Sequence, residues 1–368
     1  MKLIAFHLPQ FHRIPENDVW WGPGFTEWTN VSKARPLFRG HEQPRIPGEL
    51  GFYDLSWPRV LQEQGELARW AGVGAFCFYH YWLAGRRLLE RPVEHILTSH
   101  GFRSEFCLCW ANHSWTDHWG GRSEDILLAQ TYPGREDDWA HYQYLRPFFE
   151  DSRYFRVKGR PFFAVFHPEQ LPERSRFSAD FKAWCRRDGL EEPFLVGLSD
   201  DERLLHDGFD ALAPHSLNVA LRNYLRGSTR LLHAFRHRVL RFPCVAISYQ
   251  KLSRFFENHT CDGVRKIPTV VPNWDNTPRI GRRGLVLTGC TPETFREHLR
   301  VSLAGLQPAL DDNGELVLIK SWNEWAEGNY LEPDLRWGRA FLEVLRSFPK
   351  APAPQRRAHA QGAACQGR

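Results

Sequence analysis

No stretch of the chain approaches the roughly 18 uninterrupted apolar residues of a membrane-crossing helix, so no membrane span is expected. The apolar run between Met1 and Pro9 is too short for a signal peptide and reads instead as a strand. The eight cysteines show neither zinc-ribbon nor disulfide-framework spacing. They read as small buried hydrophobes in a reducing, cytoplasmic setting. The seventeen histidines include no His-Glu-x-x-His and no close ligand trio, so no metal or cofactor is expected. No glycine-rich phosphate turn follows an early strand, which argues against an open doubly wound sheet. Excess positive charge is also scarce. The formal net charge is +5, and Lys350, Arg356, Arg357 and Arg368 lie in a tail without an acid. The remaining body is close to neutral and gives no reason to expect nucleic acid as a partner.

What the chain has in abundance is aromatic surface. Fifteen tryptophans gather before and after the expected strands, the distribution of an aromatic-lined cleft as well as a core. Apolar runs recur with intervening helical patterns. Strands are predicted over Leu3–Leu8, Ala75–Trp82, Glu105–Asn112, Pro161–His167, Phe194–Ser199, Phe209–Pro214, Thr269–Trp274 and Leu316–Trp322. Pro272 limits the pairing of the seventh. Eight strand–helix units in 368 residues predict a single (β/α)8 TIM barrel over residues 1–348, with long loops at its C-terminal rim and a disordered basic tail over 349–368. The stretch from Arg13 to Ser56 carries Trp20, Trp21, Phe25, Glu27 and Trp28. It reads either as a binding loop or as an aromatic cover for the sheet edge. The stretch before Thr269 reads as helical. Within it, Arg222 to Arg241 holds six arginines and no acid, with Leu221, Leu225, Leu232, Phe235 and Val239 on one face. A surface helix with its leucines on the core is the ordinary reading, and peripheral membrane contact through 221–241 is the other.

The chemistry concentrates in Ser321-Trp322-Asn323-Glu324-Trp325-Ala326-Glu327-Gly328-Asn329-Tyr330, directly after the apolar run Leu316-Val317-Leu318-Ile319. Glu324 and Glu327 stand where a central strand ends, with Trp322, Trp325 and Tyr330 around them. A carboxyl pair supplies acid and base for chemistry on a sugar, and aromatic rings offer faces to its C–H groups. A solvated helix face is the bland reading of Glu-x-x-Glu. It is weakened by the cost of desolvating charge among three large aromatics. In a barrel, His80, Tyr81, Asn112, Trp274, Asp275 and Glu324 fall on one rim, where such folds build their sites. His7, His80 and His113 fall there too, and most such histidines simply hydrogen-bond.

Six segments then bring a family into view: LPQFH at Leu8, NDVWWGPGFTEWTNV at Asn17, FCFYHYW at Phe76, FCLCWAN at Phe106, NWDNTPR at Asn273 and SWNEWAEGNYLEPD at Ser321. Together they closely resemble the WbsX-type glycosyltransferase family, which is related to glycoside hydrolase family 99 and is often encoded with bacterial surface-polysaccharide genes. The resemblance runs from the first strand to about Phe348. It implies a TIM barrel and a carbohydrate-active enzyme that acts on a polysaccharide. In the hydrolase relatives a Glu-x-x-Glu pair cleaves α-mannosidic bonds with retention. The first Glu takes the proton of the sugar's own 2-hydroxyl to give an epoxide-like intermediate, and the second protonates the leaving oxygen. Carried over, these are Glu324 and Glu327. Substrate contacts are expected from Glu27, Trp28, His80, Tyr81, Trp110, Asn112, Trp274, Asp275, Trp322, Asn323 and Tyr330. Family members usually have Asn-Glu where this chain has Asn112-His113, which puts specificity in question at that point.

Two rival functions remain open at this stage. A glycosyltransferase of lipopolysaccharide assembly would use the same pair, with an acceptor hydroxyl in place of water. Nucleotide-sugar transferases normally show an Asp-x-Asp metal pair. Here Asp137-Asp138, Asp200-Asp201 and Asp311-Asp312 are merely adjacent. A non-catalytic polysaccharide-binding protein would use the aromatic cleft alone.

Overall fold

The computed structural model describes residues 1–117, 125–226, 244–255, 266–303 and 315–348. The tail from 349, and the part of the basic stretch from 227 onward, lie outside the described residues. All eight predicted strands form, and they pair in one parallel sheet. In chain order they are β1 Lys2–His7, β2 Val73–Leu83, β3 Glu105–Trp110, β4 Arg160–Val165, β5 Phe194–Gly197, β6 Ala211–Leu212, β7 Thr269–Val270 and β8 Leu316–Ile319. Hydrogen bonding joins them as β6-β5-β4-β3-β2-β1-β8-β7. Registers such as Ala5 opposite Ile319, Cys77 opposite Cys107 and Ala164 opposite Val196 hold this curled sheet together. At its ends Leu212 of β6 makes a parallel bridge to Lys266, just before β7, and the Ile267 N–H donates to the Leu212 carbonyl at 2.7 Å.

The strands were easy to see because both faces of a helix-covered parallel sheet are buried, giving continuous apolar runs. Their ends were harder. β7 stops at Val270, between Pro268 and Pro272, neither of which has an N–H to give. The stretch before Thr269 is not wholly helical. Val245–Ser248 is a strand that pairs in parallel with Leu285–Thr288, outside the main sheet. It is a short β-branched run, and short apolar runs do not distinguish strand from buried helix.

The segment Arg13 to Ser56 is not structureless. It contains helices Pro15–Trp21 and Glu27–Lys33, the second opened by a capping box between Thr26 and Thr29. The Trp28 indole donates to the Tyr53 carbonyl at 2.7 Å, which closes this segment on itself, and the Tyr53 hydroxyl donates to Glu332, beyond the end of β8, at 2.9 Å. Among the described residues no helix is long and apolar enough to cross a membrane.

Burial also sets a response to acid. His7, His80 and His298 are held neutral by desolvation, their pKa values lowered to about 3; those of His113 and His215 are lowered to about 4. The unfolded chain, with ordinary histidines near 6.5, takes up protons first, so these groups favour the fold above that pH and lose their contribution as pH falls toward 3. Glu324 and Glu332, whose pKa values are raised, offset part of this. Between pH 7 and pH 5 the loss is on the order of 1–2 kcal/mol for each histidine. A urea midpoint that stays constant over that range would contradict it.

Candidate active site

Glu324 and Glu327 flank a single turn of 3-10 helix, Trp325–Glu327. Side chains three apart eclipse in that helix, so the spacing itself brings the two carboxyls to one side. Gly328 then adopts φ +52°, and the chain reverses to pair Asn323 with Tyr330 and Glu324 with Asn329. No other residue fits there, since an added Cβ would meet the Asp275 backbone N at 2.9 Å.

The turn rests on buried acceptors. Glu332 takes four hydrogen bonds: from Gln64 Nε2 at 2.7 Å and Trp322 Nε1 at 2.9 Å on one oxygen, and from Tyr53 Oη at 2.9 Å and Trp325 Nε1 at 2.6 Å on the other. Desolvation pushes its carboxyl up to about 7 against those four donors. Asn323 accepts from the Leu8 N–H at 2.7 Å and donates back to the Leu8 carbonyl at 3.0 Å, which ties the turn to the end of β1. Glu332→Gln replaces one acceptor oxygen with a donor facing donors. It is expected to cost about 1–3 kcal/mol of stability in a denaturant titration, and an unchanged midpoint would remove this carboxylate from the support of the turn.

The two glutamates line a cavity of about 400 Å³, with Trp21, Tyr79, Tyr81, Trp115 and Phe166 as its aromatic walls and Gln10, His113, His167, Arg279 and Lys320 among its polar groups. Their carboxyls are hydrogen-bonded to each other and titrate as a pair. Desolvation raises Glu324 to about 8; Lys320 and Arg279 pull it down, and the neighbouring Glu327 pushes it up. Burial acts on Glu327 too, but Arg279, Lys320 and the hydrogen bond from Glu324 outweigh it and hold that carboxyl below its ordinary value. Arg279 donates to Glu327 Oε1 at 2.6 Å and to Glu27 Oε1 at 2.7 Å. Glu27 also accepts from the Ala326 N–H at 3.1 Å. Near neutral pH the pair therefore holds one proton on Glu324 and one charge on Glu327. This is the reverse of the order implied by the resemblance, in which Glu324 takes a proton and Glu327 gives one.

Of the residues expected to touch substrate, only Tyr81 joins the glutamates on this cavity, and Trp274 lines an adjoining one. Trp322, Trp325 and Tyr330 do not present ring faces to the cavity as expected. They are 0%, 1% and 3% exposed, Trp325 stacks on Tyr330 at 3.8 Å, and the polar ends of all three are bonded in the interior. Trp28 packs beneath them, its ring 5.6 Å from that of Trp325. His80 points out of the sheet into helix Arg135–Glu150, where its Nε2 meets His141 Nε2 at 2.8 Å. Trp110 packs on the same His141. Side chains alternate along a strand, so neighbouring His80 and Tyr81 must face opposite sides. Asn112 is a strut: its amide bonds the His167 backbone at both N–H and carbonyl, at 2.8 Å each, and so joins the ends of β3 and β4. Asp275 is fully buried, accepting from His41 at 2.8 Å and Gln43 at 2.7 Å. Glu27 does not line the cavity; it meets the site through Arg279 and the Ala326 N–H.

His113, expected on the rim, and Trp21, in the candidate binding loop, do line the cavity, whereas Arg279, Lys320, His167 and Trp115 are not among the residues expected there from the sequence. Lys320 and His167 stand at or just past the ends of β8 and β4, and His113 and Trp115 follow β3 closely; that position was the available signal. Arg279 ends the NWDNTPR segment, yet one arginine among 48 basic residues carries no sequence mark of its role. Among the described residues no cluster of His, Cys, Asp and Glu is arranged to hold a metal ion.

A carboxyl pair in an aromatic cavity at the C-terminal ends of parallel strands defines the class of site that acts on sugars. The chain belongs to the WbsX glycosyltransferase family, whose model, described as "Glycosyltransferase WbsX", matches residues 3–345. It is 39% identical over 353 residues to the uncharacterized protein WxcX of two strains of Xanthomonas campestris pv. campestris, covering 95% of this chain and 50% of that one. The chain thus spans about half the length of these curated relatives. Its fold is similar to that of a glycoside hydrolase-like protein, with a TM-score of 0.57 at 13% identity over 94% of this chain and 92% of that one. It is also similar to a family 99 endo-α-mannosidase from Bacteroides thetaiotaomicron, with a TM-score of 0.54 at 14% identity over 94% and 95% of the two chains.

Proposed function

We propose that this chain is a carbohydrate-active enzyme in which Glu324 and Glu327 act together on a glycosidic bond of a bacterial surface polysaccharide. The observation that carries the reading is the buried, hydrogen-bonded carboxyl pair whose protonation is divided by Arg279. One site then holds a proton donor and a proton acceptor at the same pH, as acid–base catalysis of glycoside cleavage requires. The fold we infer is one closed (β/α)8 domain over residues 1–348, with the bridge from Leu212 to Lys266 as the seam between β6 and β7.

An α-mannoside is the first substrate to try, because a similar solved fold is described as an endo-α-mannosidase. In this reading a carboxylate removes the proton of the 2-hydroxyl and that oxygen attacks the anomeric carbon. The other carboxyl protonates the departing oxygen, and water opens the three-membered ring with net retention. Transfer to an acceptor hydroxyl is the second reading, favoured by the family's description as a glycosyltransferase. It uses the same two glutamates with a sugar hydroxyl in place of water.

The test is incubation with α-linked mannosides and with the host's own surface polysaccharide, with products identified by mass. Shortened chains support cleavage, and elongated chains that form only with an activated donor support transfer. If neither appears while the glycans still bind, a polysaccharide-binding role takes the place of both.

A further inference from the structure

The cavity that holds the glutamates has a neighbour of about 290 Å³, and Lys320, Phe166 and His167 line both. Lys320 follows β8 directly, and its backbone N–H donates to the Val270 carbonyl at 2.9 Å, so the sheet fixes its root. Its ammonium is held by ring faces, 5.4 Å from the centroid of Phe166 and 5.8 Å from that of Trp274. Such contacts favour a cation without neutralising it. Among the described residues Lys320 makes no ion pair, in contrast to Arg279, which is matched by Glu27 and Glu327. No acid lines this second cavity among the described residues; Glu169 bonds His167 at 2.9 Å and Asp200 bonds Arg222 at 2.9 Å.

The histidines around it are short of partners. His215 lines the second cavity, and its Nε2 is buried without a hydrogen-bond partner. His113 Nδ1, in the wall of the first cavity, is in the same state. A buried polar atom left without a partner is costly unless something that binds there completes it.

We propose that the junction at Lys320 is an anion-recognising subsite beside Glu324 and Glu327, which takes either a carboxylate on a sugar or the phosphoryl leaving group of the sugar that reacts. The proposal rests on the carbohydrate-active reading and names the class of its substrate. A carboxylate would come from an acidic sugar in the polysaccharide, and a phosphoryl group from an activated glycosyl phosphate. Both chemistries need a fixed cation and an N–H donor, and Lys320 and the Nδ1 of His113 can supply them. Lys320 also lowers Glu324 and Glu327 electrostatically. An anion bound there would weaken that pull, so its arrival would help Glu324 keep its proton.

The test is calorimetric titration of the full chain carrying Glu324→Gln, which prevents turnover and leaves the charge of the resting pair unchanged. The probes are methyl α-mannoside, its 6-carboxylate analogue and mannose 1-phosphate, each at low and high salt. At least one charged probe is expected to bind about tenfold more tightly than the neutral one at low salt. Lys320→Gln is expected to reduce that preference to within about twofold, and Lys320→Arg to keep most of it. If Lys320→Gln unfolds the chain, loss of the preference at high salt and in His113→Phe takes its place. Preference for the carboxylate alone identifies an acidic glycan, and preference for the phosphate alone identifies an activated donor. Equal binding of all three probes, or a preference that survives Lys320→Gln, overturns the proposal. Wild-type chain with no turnover but an intact preference would instead refute the catalytic reading and leave the subsite standing.

Discussion

Glu327→Gln is expected to lower kcat/KM by about a thousandfold on whichever glycan the product analysis identifies, with sugar binding retained; Glu324→Gln should do the same. The pH profile carries the sharper information. In the proposed mechanism the resting enzyme works with Glu327 ionised and Glu324 protonated. The rate should therefore rise as Glu327 loses its proton, below the ordinary glutamate value, and fall as Glu324 loses its own near pH 8. Between those limbs lies a plateau that spans neutral pH. The residual rate of Glu324→Gln should lack the alkaline limb, because the group that titrates there is gone. An alkaline limb that survives this substitution unchanged would assign it to another residue.

The same variants decide which carboxyl is the acid. A mannoside with a good phenolate leaving group needs little proton donation, so the variant that lacks the acid should recover most of its first-step rate on such a substrate. Recovery by Glu324→Gln fits the resting charge distribution set by Arg279. Recovery by Glu327→Gln means that the proton crosses the hydrogen bond between the carboxyls once substrate is bound, giving the order implied by the resemblance.

Arg279→Met is expected to have the largest effect on stability. The side chain of Arg279 is 11% exposed and that of Glu27 is not exposed at all, so the substitution leaves a buried carboxylate with no cation. Breaking such a pair from one side costs about 3–5 kcal/mol, whereas replacing both partners with apolar residues is often close to neutral. Glu27→Leu combined with Arg279→Met should therefore regain most of the lost stability, while activity stays low because Glu327 has lost the cation bonded to it and keeps only Lys320 and the hydrogen bond from Glu324 to favour its charge. A denaturant midpoint for the single variant equal to that of wild type would show that Glu27 sits there protonated and needs no partner.

The parts of this protein legible in its sequence are those that depend on local repetition. Runs such as Leu316–Ile319 and Phe76–Tyr79 announce strands buried on both faces, and eight of them arranged themselves as expected along one sheet. The Glu-x-x-Glu spacing carried its own geometry, because one 3-10 turn eclipses positions 324 and 327 whatever surrounds it. The aromatics were another matter. Trp322, Trp325, Trp110 and Trp28 are large and apolar, which qualifies them equally for a sugar platform and for the packing beneath one. Glu332 fixes Trp322 and Trp325 under the turn and the Tyr53 carbonyl fixes Trp28, while Trp110 packs on His141. Trp21 and Trp115 took the cavity wall instead, at the contact between the first long loop and the segment after β3.

From the chain alone, then, came the strands, their order and the pairing of two carboxyls, all consequences of apolar periodicity and of spacing within a few bonds. Folding in three dimensions decided which carboxyl keeps the proton and which cation, among the described residues, makes no ion pair. Those outcomes depend on Arg279 and Lys320 arriving from separate turns beside a buried carboxyl pair, where a charge is governed by its nearest neighbours.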